Sequence, residues 1–320
     1  MAKPLLELKN VSTHFKVPRG TLKAVNSVSL TIEPGETLGL VGESGCGKST
    51  LGKTILRLYR PETGEVLFEG ENVWQYGRKQ RRNYTQNVQM IFQDPYACLD
   101  PLSVVGDTVA EGMDIHRMNE NRAARGQEIM RLLHQVGLNE SHVDRFPHEF
   151  SGGQRQRIGI ARALAVKPKL IVCDEPISAL DVSIQAQVVN LLKRLQREMA
   201  LSYLFITHDL SMVRQISNRI AVMYLGSIVE IADSEDIYLK NRHPYTRALL
   251  SAIPIADPAV ERARARITLT GDVPSPVNLP EGCHFAGRCP YADDTCRRVA
   301  PELRLFEAGH QVACHKAESM

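Results

Sequence analysis

A glycine-rich loop between a short apolar strand and a helix constrains the fold of this chain more than any other stretch. Thr37 to Val41 has the pattern of a buried strand, and the helix after the loop is predicted to run to about Leu58, before Pro61. Between them the chain matches G-x-x-x-x-G-K-[ST], which chance produces in only about one per cent of chains of this length. The loop residues are Gly42, Glu43, Ser44, Gly45, Cys46, Gly47, Lys48 and Ser49, followed by Thr50.

The loop has the chemistry of a phosphate-binding site. Glycines let the backbone curl so that successive N–H groups point at phosphate oxygens, at a helix N-terminus whose dipole favours anions. We expect Lys48 to reach the β- and γ-phosphates and the Ser49 hydroxyl to bind Mg²⁺. The sequence therefore predicts a nucleotide site.

A second apolar strand supplies two carboxylates. Leu170 to Cys173 is followed directly by Asp174 and Glu175. Asp174 suits the coordination shell of Mg²⁺, and Glu175 can polarise an attacking water. Many buried strands end in an acidic residue, so this pattern alone is a weak indication of a Mg²⁺ site. It becomes stronger because it follows the phosphate loop in the sequence.

Strands and helices alternate along most of the chain. Strands are predicted within 5–32, at 203–207 and in a hairpin of 219–223 with 227–232, and helices at 122–136, 151–165 and 182–199. This alternation indicates an α/β fold with a largely parallel sheet. Prolines accumulate after Pro254, so we expect one domain over 1–254 and a linker with a cysteine-rich extension over 255–320.

The composition is that of an ordinary globular protein. It is 43% hydrophobic and 23% charged, with a net charge of +3, which calls for no nucleic-acid partner. No apolar run approaches the ~18 residues of a membrane span, and Met1 to Asn10 lacks the pattern of a secretory signal. We therefore expect a cytosolic chain that reaches any membrane through a partner.

Ser151-Gly152-Gly153-Gln154 opens another predicted helix and would present a second set of free N–H groups. Alone, this tetrapeptide would be an ordinary serine-capped helix start. Arg155-Gln156-Arg157 follows it, and the carboxylate strand comes about twenty residues later. In this arrangement it resembles the signature motif of ABC ATPases.

The resemblance implies further roles. In that family, two ATP-binding domains meet head to tail, and each ATP lies between one domain's phosphate loop and the other's signature helix. Gln93 resembles the glutamine that contacts Mg²⁺ and links the site to the membrane partner, Asp181 ends a D-loop, and His208 resembles the histidine facing the γ-phosphate. Phe15 is similar in position to the aromatic residue that stacks on adenine, although a core aromatic is the alternative. With Glu175, Gln93 and His208 form the expected hydrolytic set.

The implied fold is a P-loop ABC core with an N-terminal antiparallel β subdomain, a helical signature subdomain over about 95–160 and a small cysteine-rich C-terminal extension. His243-Pro244-Tyr245-Thr246 and the segment 249–254 are similar to the C-terminal motif of oligopeptide/dipeptide-importer ATPases. Gln93-Asp94-Pro95-Tyr96 also fits the family, but Cys98 and Leu102, just after it, depart from the Ser and Arg more usual in that segment, which concerns coupling to the permease.

The same resemblance implies the partners. It predicts a paralogous ATPase or a second copy of this chain, two transmembrane permease subunits and an extracytoplasmic binding protein, at the cytoplasmic face of the membrane. Nickel, opine or sugar importers use similar motors, and a soluble ABC ATPase acting on DNA or ribosomes is a more distant alternative. That alternative usually carries coiled-coil insertions or tandem cores, and neither pattern is visible in the sequence.

Four cysteines crowd the end of the chain: Cys283, Cys289, Cys296 and Cys314. Their spacing is looser than that of a zinc ribbon with paired C-x₂-C knuckles, and the likeness to peptide importers also favours a [4Fe–4S] cluster. Zinc is the alternative, with His284, His310 or His315 as substitute ligands, and four unligated thiols in a reduced tail are a further alternative. A separate basic run, Arg78 to Arg82, is either a solvated helix face or a contact with lipid headgroups.

Overall fold

A computed structural model of the 320-residue chain describes residues 3–254, 257, 267–269, 271 and 274–320. The backbone forms two compact units that interleave along the sequence. The first spans Met1–Leu5, Ile32–Glu36 and Phe68–Ile206, and the second spans Leu6–Thr31, Thr37–Leu67 and Thr207–Met320.

The strands are β1 (Leu6–Val17), β2 (Gly20–Ile32), β3 (Thr37–Val41), β4 (Thr63–Phe68), β5 (Glu71–Asn72), β6 (Val88–Ile91), β7 (Leu170–Asp174), β8 (Ser202–Thr207), β9 (Arg219–Tyr224), β10 (Ser227–Asp233), β11 (Arg304–Glu307) and β12 (His310–Val312). The α-helices are α1 (Lys48–Ile55), α2 (Arg78–Asn87), α3 (Val105–His116), α4 (Arg122–Gln135), α5 (Gly152–Leu164), α6 (Val182–Met199), α7 (Leu210–Ile216), α8 (Ser234–Leu239), α9 (Pro244–Ser251) and α10 (Asp294–Arg298). Short 3₁₀ turns lie at Val73–Gln75, Glu140–His142, Pro147–Glu149 and Ala317–Ser319.

In the first unit, β6, β7 and β8 form a parallel sheet. Val88 is paired with Leu170, and Cys173 is paired with Phe205. Every residue of β7 is buried, as expected for a strand covered on both faces. The carboxyl end of β7 carries Asp174, and ligands of open α/β sheets bind at such ends.

In the second unit, β3 runs parallel to β9, with Val41 opposite Val222. β9 and β10 form an antiparallel hairpin, and β12 pairs with the outer side of β10. β1 lies between β2 and β4, and the short Pro18-Arg19 connection makes β1 and β2 an antiparallel hairpin. The phosphate-loop sequence connects β3 to α1.

The α/β class predicted from the sequence is confirmed. The sheet was expected to be largely parallel, and β6, β7, β8 and the pair of β3 with β9 are parallel. The pairs from β9 through β10 and β12 to β11 are antiparallel. The predicted helix 182–199 coincides with α6. Helices α3, α4 and α5 occupy the region where a helical subdomain was expected. α1 is shorter than expected, because Arg57 adopts a left-handed backbone conformation (φ 62°) that a helix cannot continue.

The described part of the C-terminal extension contains regular strands. Strand β12 places Val312 opposite Glu230 of β10, and β11 pairs with β12. The boundary at residue 254 stays a prediction. Among the described residues, no helix combines the length and apolar character needed to cross a bilayer.

Candidate nucleotide site

The phosphate loop has a backbone that only glycine can adopt at two positions. Gly42 has φ 157° and Gly47 has φ 108°. A Cβ at Gly42 would lie 2.2 Å from the Met223 carbonyl oxygen, and one at Gly47 would lie 1.9 Å from the Ala24 carbonyl oxygen. Both contacts are far too short, so the curled loop depends on these glycines.

Helix α1 opens at the end of this loop. Its N-cap is Gly47, which has no side chain to cap the first N–H groups, so these donors and the helix dipole remain suited to an anion. Lys48 is only 4% exposed, and its Nζ donates to the carbonyls of Gly42 at 2.8 Å and Glu43 at 3.0 Å. Burial raises the pKa of the Cys46 thiol, and the Lys48 charge opposes that rise. The loop thus holds the Lys48 amino group in place through its own carbonyl groups.

Two aromatic rings lie in the same unit. Phe15 is half-buried and meets Tyr59 edge to face, with ring centroids 5.2 Å apart. Such pairs fix ring orientation. The assignment of Phe15 to adenine stays a prediction, and its partial exposure distinguishes it from a fully buried core aromatic.

Glu175, the expected hydrolytic carboxylate, and Gln93, the expected coupling glutamine, meet in the first unit. The Gln93 Nε2 donates to Glu175 Oε2 at 2.9 Å. Glu175 follows β7 in a left-handed backbone conformation (φ 45°), and its N–H donates to the Ile206 carbonyl at 3.0 Å. Asp174, just before it, is 4% exposed. An uncommon backbone conformation for a non-glycine residue persists only where its surroundings hold it, and such residues cluster at functional sites.

The segment after Glu175 is tied to it. The Ser178 N–H and hydroxyl both donate to the Glu175 carbonyl, at 3.2 and 3.1 Å. Gln185 Nε2 donates to the Leu180 carbonyl at 3.0 Å. Asp181 is the N-cap of α6, and its side chain makes no capping hydrogen bond. The predicted D-loop is therefore a closed turn held by its neighbours.

The signature tetrapeptide forms the start of α5, with Gly152 and Gly153 in the first turn. Ser151 and Gln154 form a capping box: the Gln154 N–H donates to Ser151 Oγ at 3.3 Å, and the Ser151 N–H donates to Gln154 Oε1 at 3.0 Å. The Arg155 guanidinium lies 3.8 Å from the centroid of the Tyr96 ring and donates from Nε to the Pro147 carbonyl at 2.6 Å. These contacts fix the start of the helix.

His208 comes directly after the end of β8. It belongs to the second unit, and its side chain is exposed. The turn after it is ordered by Asp209, whose Oδ1 accepts the Ser211 N–H at 2.8 Å and caps α7. The expected γ-phosphate histidine therefore stands on a defined turn.

Sequence reasoning missed the contacts made to Glu43 in the phosphate loop. Its N–H donates to the Tyr245 hydroxyl oxygen at 2.9 Å, and its carboxylate accepts two hydrogen bonds from Arg288. These bonds raise the pKa of Arg288 above its usual range. The motif His243 to Thr246 was noticed in the sequence, but nothing in it indicated a contact some 200 residues away.

The four tail cysteines do not form a metal site in this geometry. Burial raises the pKa of Cys283 to about 11, and the charges of the other three cysteines add to that rise, so the thiols share one neighbourhood. Cys314 Sγ accepts the Lys316 N–H at 3.3 Å. Within the part of the chain that the structure describes, however, no three His, Cys, Asp or Glu side chains are arranged to hold a metal ion. The arrangement of these side chains therefore does not support the predicted [4Fe–4S] cluster.

Comparison with known proteins identifies two family regions. Residues 25–178 match the ABC transporter family, and residues 229–296 match the oligopeptide/dipeptide transporter C-terminal region. The putative oligopeptide transport ATP-binding protein YkfD of Bacillus subtilis is 54% identical over 98% of this chain and 95% of its own length. The oligopeptide transport ATP-binding protein OppF of the same organism is also 54% identical, over 99% of this chain and 98% of its own length.

Solved structures agree with this placement. A dimeric, post-hydrolysis structure of the ATP-binding cassette MJ0796 with ADP and Pi is 29% identical, with a TM-score of 0.66, and the match covers 72% of this chain and 98% of that one. CbiO1 of Clostridium perfringens, part of the ABC transporter complex CbiONQ, is 25% identical, with a TM-score of 0.66, over 74% of this chain and 92% of that one. The chain is thus a member of the ABC transporter family, an ATP-binding subunit of the oligopeptide/dipeptide type.

Proposed function

We propose that this ABC ATPase couples ATP hydrolysis to the import of di- or oligopeptides. The observation that carries the ATPase part is the phosphate loop, with its obligatory glycines, the uncapped start of α1 and the buried Lys48. The peptide cargo is supported by relatives named as oligopeptide transport ATP-binding proteins and by the match over 229–296.

In the proposed reaction, Lys48 and the loop N–H groups bind the phosphates, with Phe15 against adenine. Mg²⁺ would be held by oxygen ligands from Ser49, Asp174 and Gln93, a donor set that suits this ion, and would neutralise phosphate charge. Glu175 accepts the proton of the water that attacks the γ-phosphate, and Gln93 orients its carboxylate through the 2.9 Å hydrogen bond. His208 of this chain and the signature helix of a second ATPase would complete the site. In return, Ser151 to Gln154 and Asp181 of this chain would serve the nucleotide of the second ATPase.

A carboxylate-to-amide change tests the catalytic assignment. Glu175→Gln keeps the shape of the side chain and removes the base, so we expect ATP to bind while turnover falls by about 10²–10⁴-fold. The matched control is Glu198→Gln, an exposed carboxylate on α6, which should hydrolyse ATP at the normal rate. Normal turnover by Glu175→Gln would remove this residue from the mechanism.

Lys48→Ala should instead weaken nucleotide binding, because it removes the charge inside the loop. Lys53→Ala on the same helix is the control. Binding of a fluorescent ATP analogue separates this defect from that of Glu175→Gln. Equal affinity of the Lys48→Ala variant and the unmodified protein would contradict the phosphate-site assignment.

The proposed working unit is a pair of ATPase subunits on two membrane permease subunits, supplied by an extracytoplasmic binding protein. It lies at the cytoplasmic face of the membrane. Each complete ATP site requires two ATPases, since in the family's arrangement the signature helix serves the partner's phosphate loop. We expect affinity purification from membranes to recover a paralogous ATPase, whereas recovery of only this chain and permeases would indicate a homodimer.

The same purification tests the cargo. Mass spectrometry of the ligand on the copurified binding protein should identify short peptides. Nickel, an opine or a sugar in that position would keep the motor and reject the peptide assignment. ATPase activity associated with nucleic acid or ribosomes, and without permeases, would reject import altogether.

We further propose that Cys283, Cys289, Cys296 and Cys314 bind a metal centre, a [4Fe–4S] cluster in preference to zinc. The support is the sequence alone: four cysteines lie close together near the end of the chain, at a spacing looser than that of paired zinc knuckles. Protein purified without oxygen should contain iron and acid-labile sulfide in nearly equal amounts. Stoichiometric zinc would reject the cluster, and a metal-free, fully folded tail would reject the site.

A further inference from the structure

The phosphate loop is in contact with a residue from the far end of the chain. The Arg288 guanidinium donates to both carboxylate oxygens of Glu43, at 2.9 and 3.1 Å. The Arg288 side chain is 8% exposed, and that of Glu43 is 28% exposed. A paired, largely buried arginine–carboxylate contact has defined geometry and is much less screened than an exposed surface pair.

Buried aromatic rings hold this contact in place. Tyr224, Tyr245 and Phe285 form an aromatic cluster with centroid separations of 4.6, 5.3 and 5.5 Å. Tyr245 also accepts the Glu43 N–H, and the Arg288 guanidinium lies 5.9 Å from the centre of the Tyr224 ring. Both the main chain and the side chain of Glu43 are therefore fixed by residues outside the loop.

The negative charge of Glu43 matters for the binding of a phosphate ligand. Glu43 is the second residue of a loop that must take up a highly negative polyphosphate. An unpaired carboxylate at this position would repel the ligand, and a mobile one would let the first turn of the loop shift. A bidentate arginine removes both problems, because it neutralises the charge and fixes its position.

We propose that Arg288 is a positioning residue of the nucleotide site, which neutralises and orients Glu43 so that the phosphate loop accepts a triphosphate. This rests on the proposed ATP binding. Arg288 acts through Glu43, from within the tail that carries the cysteines.

The competing interpretation is that the pair only fastens the tail to the rest of the second unit. The two interpretations differ when the charge of Glu43 is removed together with Arg288. If the pair matters through charge, the double substitution R288M/E43Q leaves no unpaired carboxylate and restores affinity. If it matters only as a fastening, the double variant is at least as defective as R288M.

The experiment is titration calorimetry of full-length protein with Mg-ATP and Mg-ADP. The variants are R288M, E43Q, R288M/E43Q and the control R297M, an exposed arginine of the same tail. We expect R288M to raise the Kd for ATP by about 10-fold, or about 1.4 kcal/mol, and the Kd for ADP by less. R288M/E43Q should recover most of the ATP affinity that R288M loses, and R297M should bind ATP as tightly as the unmodified protein. Added salt should reduce the difference in Kd between R288M and the unmodified protein.

Unchanged ATP affinity in R288M would overturn the proposal, and so would an R288M/E43Q variant that binds as weakly as R288M. Failure of the unmodified protein to bind ATP would instead reject the proposed function. Thermal melting checks that each variant is folded. If R288M does not fold, R288K keeps the charge without the paired geometry. It should bind ATP several-fold more weakly than the unmodified protein, and equal affinity would count against the positioning role.

Discussion

Gln93 and Glu175 are 82 residues apart in sequence and share a hydrogen bond. Besides its proposed role in Mg²⁺ binding, Gln93 therefore contacts the proposed catalytic carboxylate. Gln93→Ala would leave the Glu175 carboxylate without this donor, and misplacing a catalytic group is costly. We expect kcat for ATP hydrolysis to fall by about 10- to 100-fold with a smaller change in ATP affinity. The control is Gln89→Ala: the Gln89 side chain donates to the Thr85 carbonyl of α2, and its removal should leave kcat unchanged. A Gln93→Ala variant with normal kcat would mean that Glu175 is oriented by other groups.

The burial of His243 predicts that the stability of the fold depends on pH. It is 1% exposed, and burial lowers its pKa to about 4, although the nearby Glu230 opposes this shift. The unfolded chain takes up the proton near pH 6.5 and the folded chain only near pH 4, so stability is lost as pH falls between these values. From pH 7 to pH 5 this residue should lower the free energy of unfolding by about 2 kcal/mol.

His243→Asn tests this contribution. His243 Nδ1 accepts the Tyr245 N–H at 3.1 Å, and Asn can keep such an N-cap acceptor without titrating. Urea unfolding at pH 7 and pH 5 should show a smaller loss of stability in His243→Asn than in the unmodified protein. The exposed His148→Asn is the control. If His243→Asn loses as much free energy of unfolding between pH 7 and pH 5 as the unmodified protein, His243 is not the source of the pH dependence.

At the scale of elements, the start of α5 depends on the capping box of Ser151 and Gln154. Ser151→Ala removes the acceptor for the Gln154 N–H and should destabilise the protein by about 1 kcal/mol. Denaturant titration measures this, and Ser183→Ala in the first turn of α6 is the control. A loss of ATPase activity without a loss of stability would point instead to a direct role of the hydroxyl at the partner's nucleotide.

Elements with a strong apolar pattern could be predicted from the sequence, and polar ones could not. α6 buries Val188, Leu191 and Leu195 along one face and was predicted with its correct bounds. α2 buries only Tyr84 among its ten residues, so the basic run was visible but the helix was not. The Gly77 N–H donates to Gln80 Oε1 and fixes the start of this helix. Such a local hydrogen bond between polar groups gives no periodic pattern of apolar residues in the sequence.

Part of the candidate site could likewise be predicted from the sequence, and part could not. The glycines, Lys48 and the carboxylates follow from local spacing, because phosphate and Mg²⁺ demand those residue types in that order. The contacts of Glu43 with Tyr245 and Arg288 span 202 and 245 residues, and only the folded chain brings them together.

At the scale of the whole molecule, the C-terminal strands cover β10. Glu230 is fully buried there and accepts hydrogen bonds from the Arg242 N–H at 2.6 Å and from His310 Nε2 at 2.8 Å. A chain ending at Pro254 would lack β11, β12 and His310. It would expose the edge of β10 and leave the Glu230 carboxylate under-satisfied.

We therefore expect the 1–254 fragment to be poorly soluble and to melt well below the full-length protein. Light scattering and thermal melting check this. Leu305→Lys, on the exposed face of β11, is the control that keeps the pairing of β12 with β10, and it should behave normally. A soluble fragment with unchanged melting would show that β10 does not need the tail.

The contact between Arg288 and Glu43 also sets an order of events during synthesis. The phosphate loop leaves the ribosome 245 residues before the arginine that holds it. At about 5–20 residues per second, translation takes roughly 12 to 50 seconds to bridge that gap. During this time the nascent chain has the glycines and the lysine of its loop but not the counter-charge. With the role proposed for Arg288, we expect a newly made subunit to acquire its full affinity for ATP only when its last segment has been released, and incomplete chains to compete poorly for the nucleotide.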